Sequence, residues 1–414
     1  MKWEKVRLEE LYEVHNGLSK GRKFFGSGYP FLSFSTVFNN YFIPSDLTDF
    51  VQSTEKEQDS YSIKRGDVFV TRTSETSDEL GMSCVALKDY PYATYNGFTK
   101  RMRPKDATRV LPEYIGYYMR MPSFRGEFQA FSTMTTRASL RNEDLLGLEI
   151  ALPPIETQHR IASILSAYDD LIENNQKQIK FLEEAAQRLY KEWFVDLRFP
   201  NHENTPIVDG IPKGWSLSSI EEIGCNIESG ARPKGGIDSS LRNGVPSIGA
   251  ENVIGLGKYN FSSDKFVSSE YYASMKRGKL KDRDILVYKD GAYIGRTSLF
   301  QDGFPHQIAS VNEHVFLVHA KNEMLQYYLF FTLYQHEYYL KMQKLNKNAA
   351  QPGINSKAML SLKLLLPPSE LIQKFDEFIA PVMKNIFAKA KENRELVESR
   401  DRLLPKLMSG ELEV

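Results

Sequence analysis

The 414 residues carry 53 basic and 53 acidic side chains, with 41% hydrophobic and 26% charged residues. That is the composition of an ordinary folded chain, long enough for two or three domains with real cores. Zero net charge excludes a generally basic nucleic-acid coat protein but leaves room for local basic faces. Cys84 and Cys225 are the only cysteines, which excludes a disulfide framework and a cysteine-based metal site and fits a reducing compartment. The opening MKWEKVRLEE lacks the apolar core of a signal peptide, and no run of 18 apolar residues occurs. The expectation is a cytoplasmic protein with no membrane partner.

In chain order, Trp3 to Gly21 reads WEKVRLEELYEVHNGLSKG, a tryptophan and an amphipathic turn before a Gly-punctuated basic segment. IKRGDVFVTRTSE (Ile63 to Glu75) is a strand-like run ending in a polar loop. Pro112 to Arg120 reads as a helix, and Leu-Pro-Pro at Leu152 to Pro154 closes the globular part, since the residue before proline resists helix.

A long helix follows. Ile161, Leu165, Tyr168, Ile172, Asn175, Ile179, Leu182, Ala186, Leu189 and Trp193 recur at alternating spacings of four and three. This is a coiled-coil seam in which Asn175 is the single polar member, a residue that costs stability and fixes register. The rod predicted from Ile155 to Phe194, ~60 Å long at ~1.5 Å per residue, needs a partner for its apolar stripe.

After a connector, Arg198 to Gly210, the pattern repeats. WSLSSIEEIGCNIESGARPKG (Trp215 to Gly235) answers the first opening, and LKDRDILVYKDGA (Leu280 to Ala292) answers Ile63 to Glu75. MLSLKLLLPPSELIQKFDEFI (Met359 to Ile379) answers LLGLEIALPPIETQHRIASIL (Leu145 to Leu165). Short β-branched and aromatic runs such as FVSSEYY (Phe266 to Tyr272) and VFLVHA (Val315 to Ala320) predict mostly antiparallel sheet, with a helix over Asn322 to Lys344. A second long helix, about Glu370 to Met408, carries a poorer seam with a slip, and Pro381 predicts a kink. One helix leads into the second domain and the other leads away from it, so pairing them makes them antiparallel. The expected fold class is α+β: two similar β-rich domains separated by a pair of long antiparallel coiled-coil helices, a pseudo-two-fold repeat. Its parts are 1–152, the first domain; 153–197, the central helix; 198–367, linker and second domain; and 368–414, the C-terminal helix.

No GxxxxGK[ST] loop, GxGxxG or HExxH is present. SGARPKGG near Gly230 lacks the phosphate-loop spacing and reads as flexible loop. His306, His314 and His319 read as separate histidines rather than a metal site. Asp67 and Asp284, equivalent across the repeat, read as turn or cap residues before they read as catalysts. The chain does not look like an enzyme.

Clustered cations in the polar loops are the candidate binding residues. In the first half they are Lys20, Arg22 and Lys23; Arg72 with Thr73 and Ser74; Lys100, Arg101 and Arg103; and Arg137 with Arg141. In the second half they are Arg232 and Lys234; Lys276 with Arg277, Lys279, Lys281 and Arg283; Lys289; Arg296; Lys341, Lys344 and Lys347; and Gln351. Singly, each cluster reads equally well as a solvated face. Their recurrence in both halves points to phosphate contacts, with Arg, Asn and Gln left for base edges.

KRGKLKDRDILVYKDGAYIGRTSLF (Lys276 to Phe300), AAQPGINSKAMLSLKLLLPP (Ala349 to Pro368), LPPIETQHRIASIL before the first helix and LLPKLMSGELEV at the end carry a resemblance over the whole chain. Together with the order domain, helix, domain, helix, they resemble the specificity subunits of Type I restriction–modification enzymes. The first half matches more loosely, since its FSTMTTRASL (Phe131 to Leu140) stands where the second has the Gln-Pro-Gly-Ile-Asn core. The resemblance implies two target-recognition domains, each docking on one half of a split asymmetric site in double-stranded DNA. It implies helices that act as a ruler and as the dock for two methyltransferase subunits, with restriction subunits joining through them. It implies no catalysis and no cofactor in this chain; S-adenosylmethionine, ATP and Mg are expected on the partners. Tyr190, Trp193, Gln158, Arg160 and Gln187 are docking candidates, with Trp193 better read as a core knob of the seam. The rival readings are a specificity chain for a stand-alone methyltransferase and a protein–protein adaptor with two β-rich heads on a coiled-coil spacer.

Overall fold

The computed structural model describes residues 3–74, 79–130, 138–237, 241, 243–346 and 352–414. They divide into two compact units, residues 1–170 with 396–414, and residues 171–395.

The first unit contains β1 (Glu4–Arg7), β2 (Tyr12–Asn16), β3 (Phe25–Leu32), β4 (Asp49–Val51), β5 (Val68–Thr71), β6 (Ser83–Val85), β7 (Thr94–Tyr95), β8 (Thr99–Pro104), α1 (Pro112–Tyr118), α2 (Pro122–Ala130) and β9 (Glu149–Leu152). Val68, Phe69 and Val70 are buried, because β5 is an inner strand whose β-branched and aromatic side chains pack on both faces. The main sheet has the order β2-β8-β5-β6, antiparallel throughout. Beside it lies β4-β3-β7, whose β3–β7 pair is parallel. β1 pairs antiparallel with β9. The helix α3 (Ile155–Tyr190) begins directly after the two prolines, with Thr157 N donating to Pro154 O at 2.9 Å.

The second unit repeats this plan with β10 (Ser216–Ser219), β11 (Cys225–Ser229), β12 (Val245–Ile248), β13 (Phe266–Val267), β14 (Ile285–Tyr288), β15 (Thr297–Leu299), β16 (Ser310–Val311), β17 (Val315–Ala320), α4 (Leu325–Tyr334), α5 (His336–Lys344), β18 (Lys363–Leu366) and α6 (Ser369–Ser409). Its sheets run β11-β17-β14-β15 and β13-β12-β16, again with one parallel pair, and β10 pairs with β18. The equivalence reaches single atoms. Tyr114 Oη donates to Ala151 O at 2.8 Å, and Tyr328 Oη donates to Leu365 O, each two residues before a Pro-Pro stop.

Residues 155–170 of α3 and 396–409 of α6 belong to the first unit. There Ile161 and Leu165 are buried with Leu404, Leu407 and Met408, and Asp169 pairs with Arg400 at 2.5 Å. In the second unit Asn175 meets Glu392 at 3.0 Å and Lys389 at 3.4 Å, while Trp193 lies 5.8 Å from Phe378. Numbers rise along one helix as they fall along the other, so the pair is antiparallel in each unit. Ile172 and Ile179 are buried, and Tyr168, Leu182 and Leu189 are half-buried. Burying each large apolar side chain contributes about 1.5–3 kcal/mol. Asn175 is interior and finds its polar partners on the facing helix, the arrangement that a lone seam asparagine requires.

Three local expectations differ. Asn322 to Lys344 is two helices, because Gln335 is extended at φ −68°, ψ 143°. The break lets α5, with a polar face, leave the direction of α4, which is buried on nearly every side. Phe266 to Tyr272 is a strand of two residues and then a helix, since Ser268 caps the Tyr271 N–H at 3.1 Å. Helix α6 runs through Pro381 without a break; Pro381 is exposed, so its missing donor and ring fall on the solvent side.

Candidate nucleic-acid interface

In the second unit, the end of β11, the end of β14 and the starts of β15 and β17 share one rim of the sheet, as Ser229↔Phe316, Tyr288↔Val315 and Val287↔Thr297 require. The loops at this rim are stitched through their backbones. Gly230 N donates to Asn312 O at 3.2 Å, Val311 N to Gly278 O at 2.9 Å, and Ile354 N to Lys289 O at 3.1 Å. Only glycine fits at 230, where a Cβ would lie 1.6 Å from Val311 O.

This rim gathers most of the cations that the sequence singles out. Arg232 pairs with Glu313 and meets His314 Nε2 at 3.0 Å. Lys289 Nζ donates to Glu313 O at 3.0 Å and lies 3.3 Å from Asp290. Arg296 stacks 3.5 Å over the Tyr293 ring and has no carboxylate partner among the described residues. Lys234, Lys276 and Arg277 are exposed. Helix α5 packs against Gly295, where an added Cβ would be 3.0 Å from Met342, and carries Lys341, paired with Glu337 at 2.7 Å, and Lys344, which is exposed. Lys279 lies over Tyr272, and Arg283 pairs with Asp376 at 3.5 Å. Lys347 and Gln351 lie outside the described residues.

The equivalent rim of the first unit is formed by the ends of β2 and β5 and the starts of β6 and β8. Gly17 corresponds to Gly230: a Cβ there would lie 2.0 Å from Asn96 O. Arg72 Nη1 donates to Asn16 Oδ1 at 3.0 Å, and Leu140 N donates to Arg72 O as Ile354 N does to Lys289 O. Thr73 and Ser74 pair through their backbones with Ser139 and Ala138. Arg22 and Lys23 are exposed, whereas Lys20 is held by Glu57 at 2.7 Å. Lys100 is 5% exposed, between Asn16 and Asn142, and burial pulls its pKa down, helped by the charge of Arg72. Arg141 pairs with Asp144 at 2.8 Å. Arg137 lies outside the described residues.

Arg101 and Arg103 do not belong to this surface. Arg101 is buried and donates to Ser62 O at 2.8 Å; Arg103 makes two bonds, of 2.7 and 2.6 Å, to the fully buried Asp67. Alternation along β8 turns these side chains inward towards the far end of the sheet. Asp67 also accepts from Lys64 N at 2.8 Å, and Asp284 from Lys281 N at 2.7 Å, so the equivalent aspartates cap equivalent turns. His306, His314 and His319 each have a separate carboxylate, from Asp264, Asp290 and Asp284.

Among the docking candidates, Gln158 is 1% exposed and spends its amide on Leu111 N, Arg109 O and Pro153 O. Tyr190 is buried against Thr332, and Trp193 is buried among Phe194, Phe375 and Phe378. Gln158 and Tyr190 are thereby corrected to interior residues, and Trp193 is the core knob that the seam spacing favoured. Arg160 is exposed, and Gln187 is half-buried beside Glu183 at 3.3 Å. Sequence reasoning missed the exposed aromatics Phe98 (61%) and Tyr293 (47%) and the asparagines Asn16 and Asn142. The Asn-Gly dipeptides at 16–17 and 96–97 were the available signal for a tight polar rim.

A family model described as the Type I restriction modification DNA specificity domain matches residues 1–184 and again 212–397. The chain belongs to this family. Each matched segment of the specificity-family chain takes in one complete set of sheets and most of the long helix that follows it. The chain is 26% identical over 420 residues to the Type I restriction enzyme MjaIX specificity subunit of Methanocaldococcus jannaschii, covering 100% of this chain and 94% of that one. It is 27% identical over 273 residues to the MjaVIII specificity subunit of the same organism, covering 65% and 63%. Its fold matches the crystal structure of the Type I restriction–modification S subunit from M. genitalium with a TM-score of 0.57 at 16% identity, covering 98% and 96%. Among the described residues, no helix is long and apolar enough to cross a membrane.

Proposed function

We propose that this chain is the DNA-reading subunit of a Type I restriction–modification complex, each rim contacting one half of a bipartite, asymmetric site in double-stranded DNA. The observation that carries the reading is the repetition of one construction: the same four-stranded sheet, twice, with cations gathered at the same rim of each. Phosphate contacts from such rims hold register, and neighbouring polar and aromatic side chains such as Tyr293 and Phe98 read the grooves. The chain itself is non-catalytic. Two methyltransferase subunits dock on it through exposed positions of the helix pair, bring S-adenosylmethionine and flip the target adenine; restriction subunits, with ATP and Mg, join through them. The lengths of α3 and α6 set the number of unread base pairs.

Co-expression with a methyltransferase subunit followed by genome-wide mapping of modified adenines tests the reading. A motif of two short halves around a fixed unread spacer is the expected outcome. Absence of any motif, with duplex binding that does not weaken as salt rises, would favour an adaptor for polypeptides instead.

A further inference from the structure

Arg72 and Lys100 stand side by side at the first rim, and among the described residues no carboxylate reaches either. Strand β5 delivers Arg72 just past its end and β8 delivers Lys100. Asn16, closing β2, stands between them: its Oδ1 accepts from Arg72 Nη1 at 3.0 Å and from Lys100 Nζ at 3.5 Å. Lys100 also donates to Asn142 Oδ1. The Nε of Arg72 is shielded from solvent and has no partner among the described residues. Of five N–H donors on Arg72 and three on Lys100, one of the first set and two of the second are used among the described residues.

Elsewhere in the unit, Arg103 is neutralised by Asp67 and Lys20 by Glu57, while the buried Arg101 donates to Ser62 O and Arg120 to the carbonyls of Ser83, Val37 and Asn40. Among the described residues, only at the rim do two cations without a carboxylate share one acceptor. Two neighbouring cations sharing one neutral oxygen repel each other and carry a desolvation cost that no carboxylate offsets. A tetrahedral oxyanion beside them at the rim would accept from the remaining Arg72 Nη and Lys100 Nζ hydrogens and offset the repulsion.

We propose that Arg72 and Lys100, oriented by Asn16 and Asn142, clamp one backbone phosphate of the DNA and so fix the register of the first domain on its half-site. This rests on the DNA-reading role proposed above and assigns its anchoring point. The clamp is one-sided. In the second unit Phe316 stands where Lys100 does, since Ser229↔Phe316 repeats Asn16↔Lys100. Lys289 takes the place of Arg72 but is occupied by Glu313 O and Asp290.

The test uses the full-length chain, a mixed-sequence DNA duplex and salt from ~50 to ~200 mM. Arg72→Gln and Lys100→Met are each expected to weaken binding roughly 10-fold, and together to shrink the log–log salt slope by roughly 1. Lys88→Met, an exposed cation beyond the other end of the sheet, serves as control and should leave both unchanged. Without DNA, Lys100→Met should melt at a higher temperature than the natural chain, because it removes an uncompensated charge; a merely structural lysine would lower the midpoint when lost. Steep salt dependence that is the same in Arg72→Gln and Lys100→Met overturns the clamp and leaves the DNA-reading role standing. A lower midpoint for Lys100→Met overturns the uncompensated pair. No salt-dependent binding by the natural chain overturns both.

Discussion

The two rims sit on one scaffold and differ in charge bookkeeping. The second pairs Arg232 with Glu313 and Lys289 with Asp290, sets His314 between them, and leaves only Arg296 and exposed lysines and arginines without a carboxylate among the described residues. The first leaves Arg72 and Lys100 facing only amide oxygens. Beneath the rims, the strand order, the parallel pair, the tyrosine bond to β9 or β18 and the capping aspartate are the same in both. A duplicated fold can hold its framework while each copy acquires its own contact chemistry, because rim side chains lie outside the packing that the framework depends on.

The framework can be broken unequally. Asp67→Ala strands Arg103 without its counter-charge and should destabilise the first unit by about 3–5 kcal/mol. Asp284→Ala should cost only about 1–2 kcal/mol, since its partner is the imidazole of His319 rather than a permanently charged guanidinium. Denaturant titration of the two variants compares them; equal losses would mean that the buried ion pair is not what separates the copies.

The rims can be sharpened next. Arg296→Ala, which removes a guanidinium with no carboxylate partner among the described residues, should weaken duplex binding about 10-fold with a stability change below about 0.5 kcal/mol. Arg232→Ala should weaken binding less, about 3-fold or under, since Glu313 already neutralises that cation. Anisotropy titrations at one salt concentration order the two.

The smallest effect is in pH. Lys100 has its pKa lowered in the fold, by burial first and Arg72 second. Between that lowered pKa and the ordinary lysine value, the unfolded chain binds more protons than the folded one. Stability contributed at this site is therefore lowest while Lys100 is charged in both states, and it rises with pH through that window. The difference in melting temperature between the natural chain and Lys100→Met should shrink as pH rises. A difference independent of pH would contradict the assignment.

Much of the framework was legible because it is periodic. The alternating spacing from Ile161 to Trp193 marks a helix face, and Leu-Pro-Pro marks each stop. The rim clusters at Lys20 to Lys23, Arg72 to Ser74, Arg232 to Lys234 and Lys289 to Arg296 were legible as recurring polar loops. What escaped depends on pairing across the chain. Arg101 and Arg103 read as surface cations until β8 is placed between two strands. Gln158, off the seam on a helical wheel, is interior because the loop at 109–111 folds over it. Lys100 stands out only once Asn16, 84 residues away, is beside it.

The most direct measurement combines geometry with reading. Matched seven-residue insertions in α3 and α6 beside the Asn175–Glu392 contact add ~10 Å of helix, equal to about three base pairs. Mapping modified adenines in cells that carry the lengthened chain should return the same two half-motifs with a spacer about three base pairs longer. An unchanged spacer, or a single uninterrupted motif, would contradict the account.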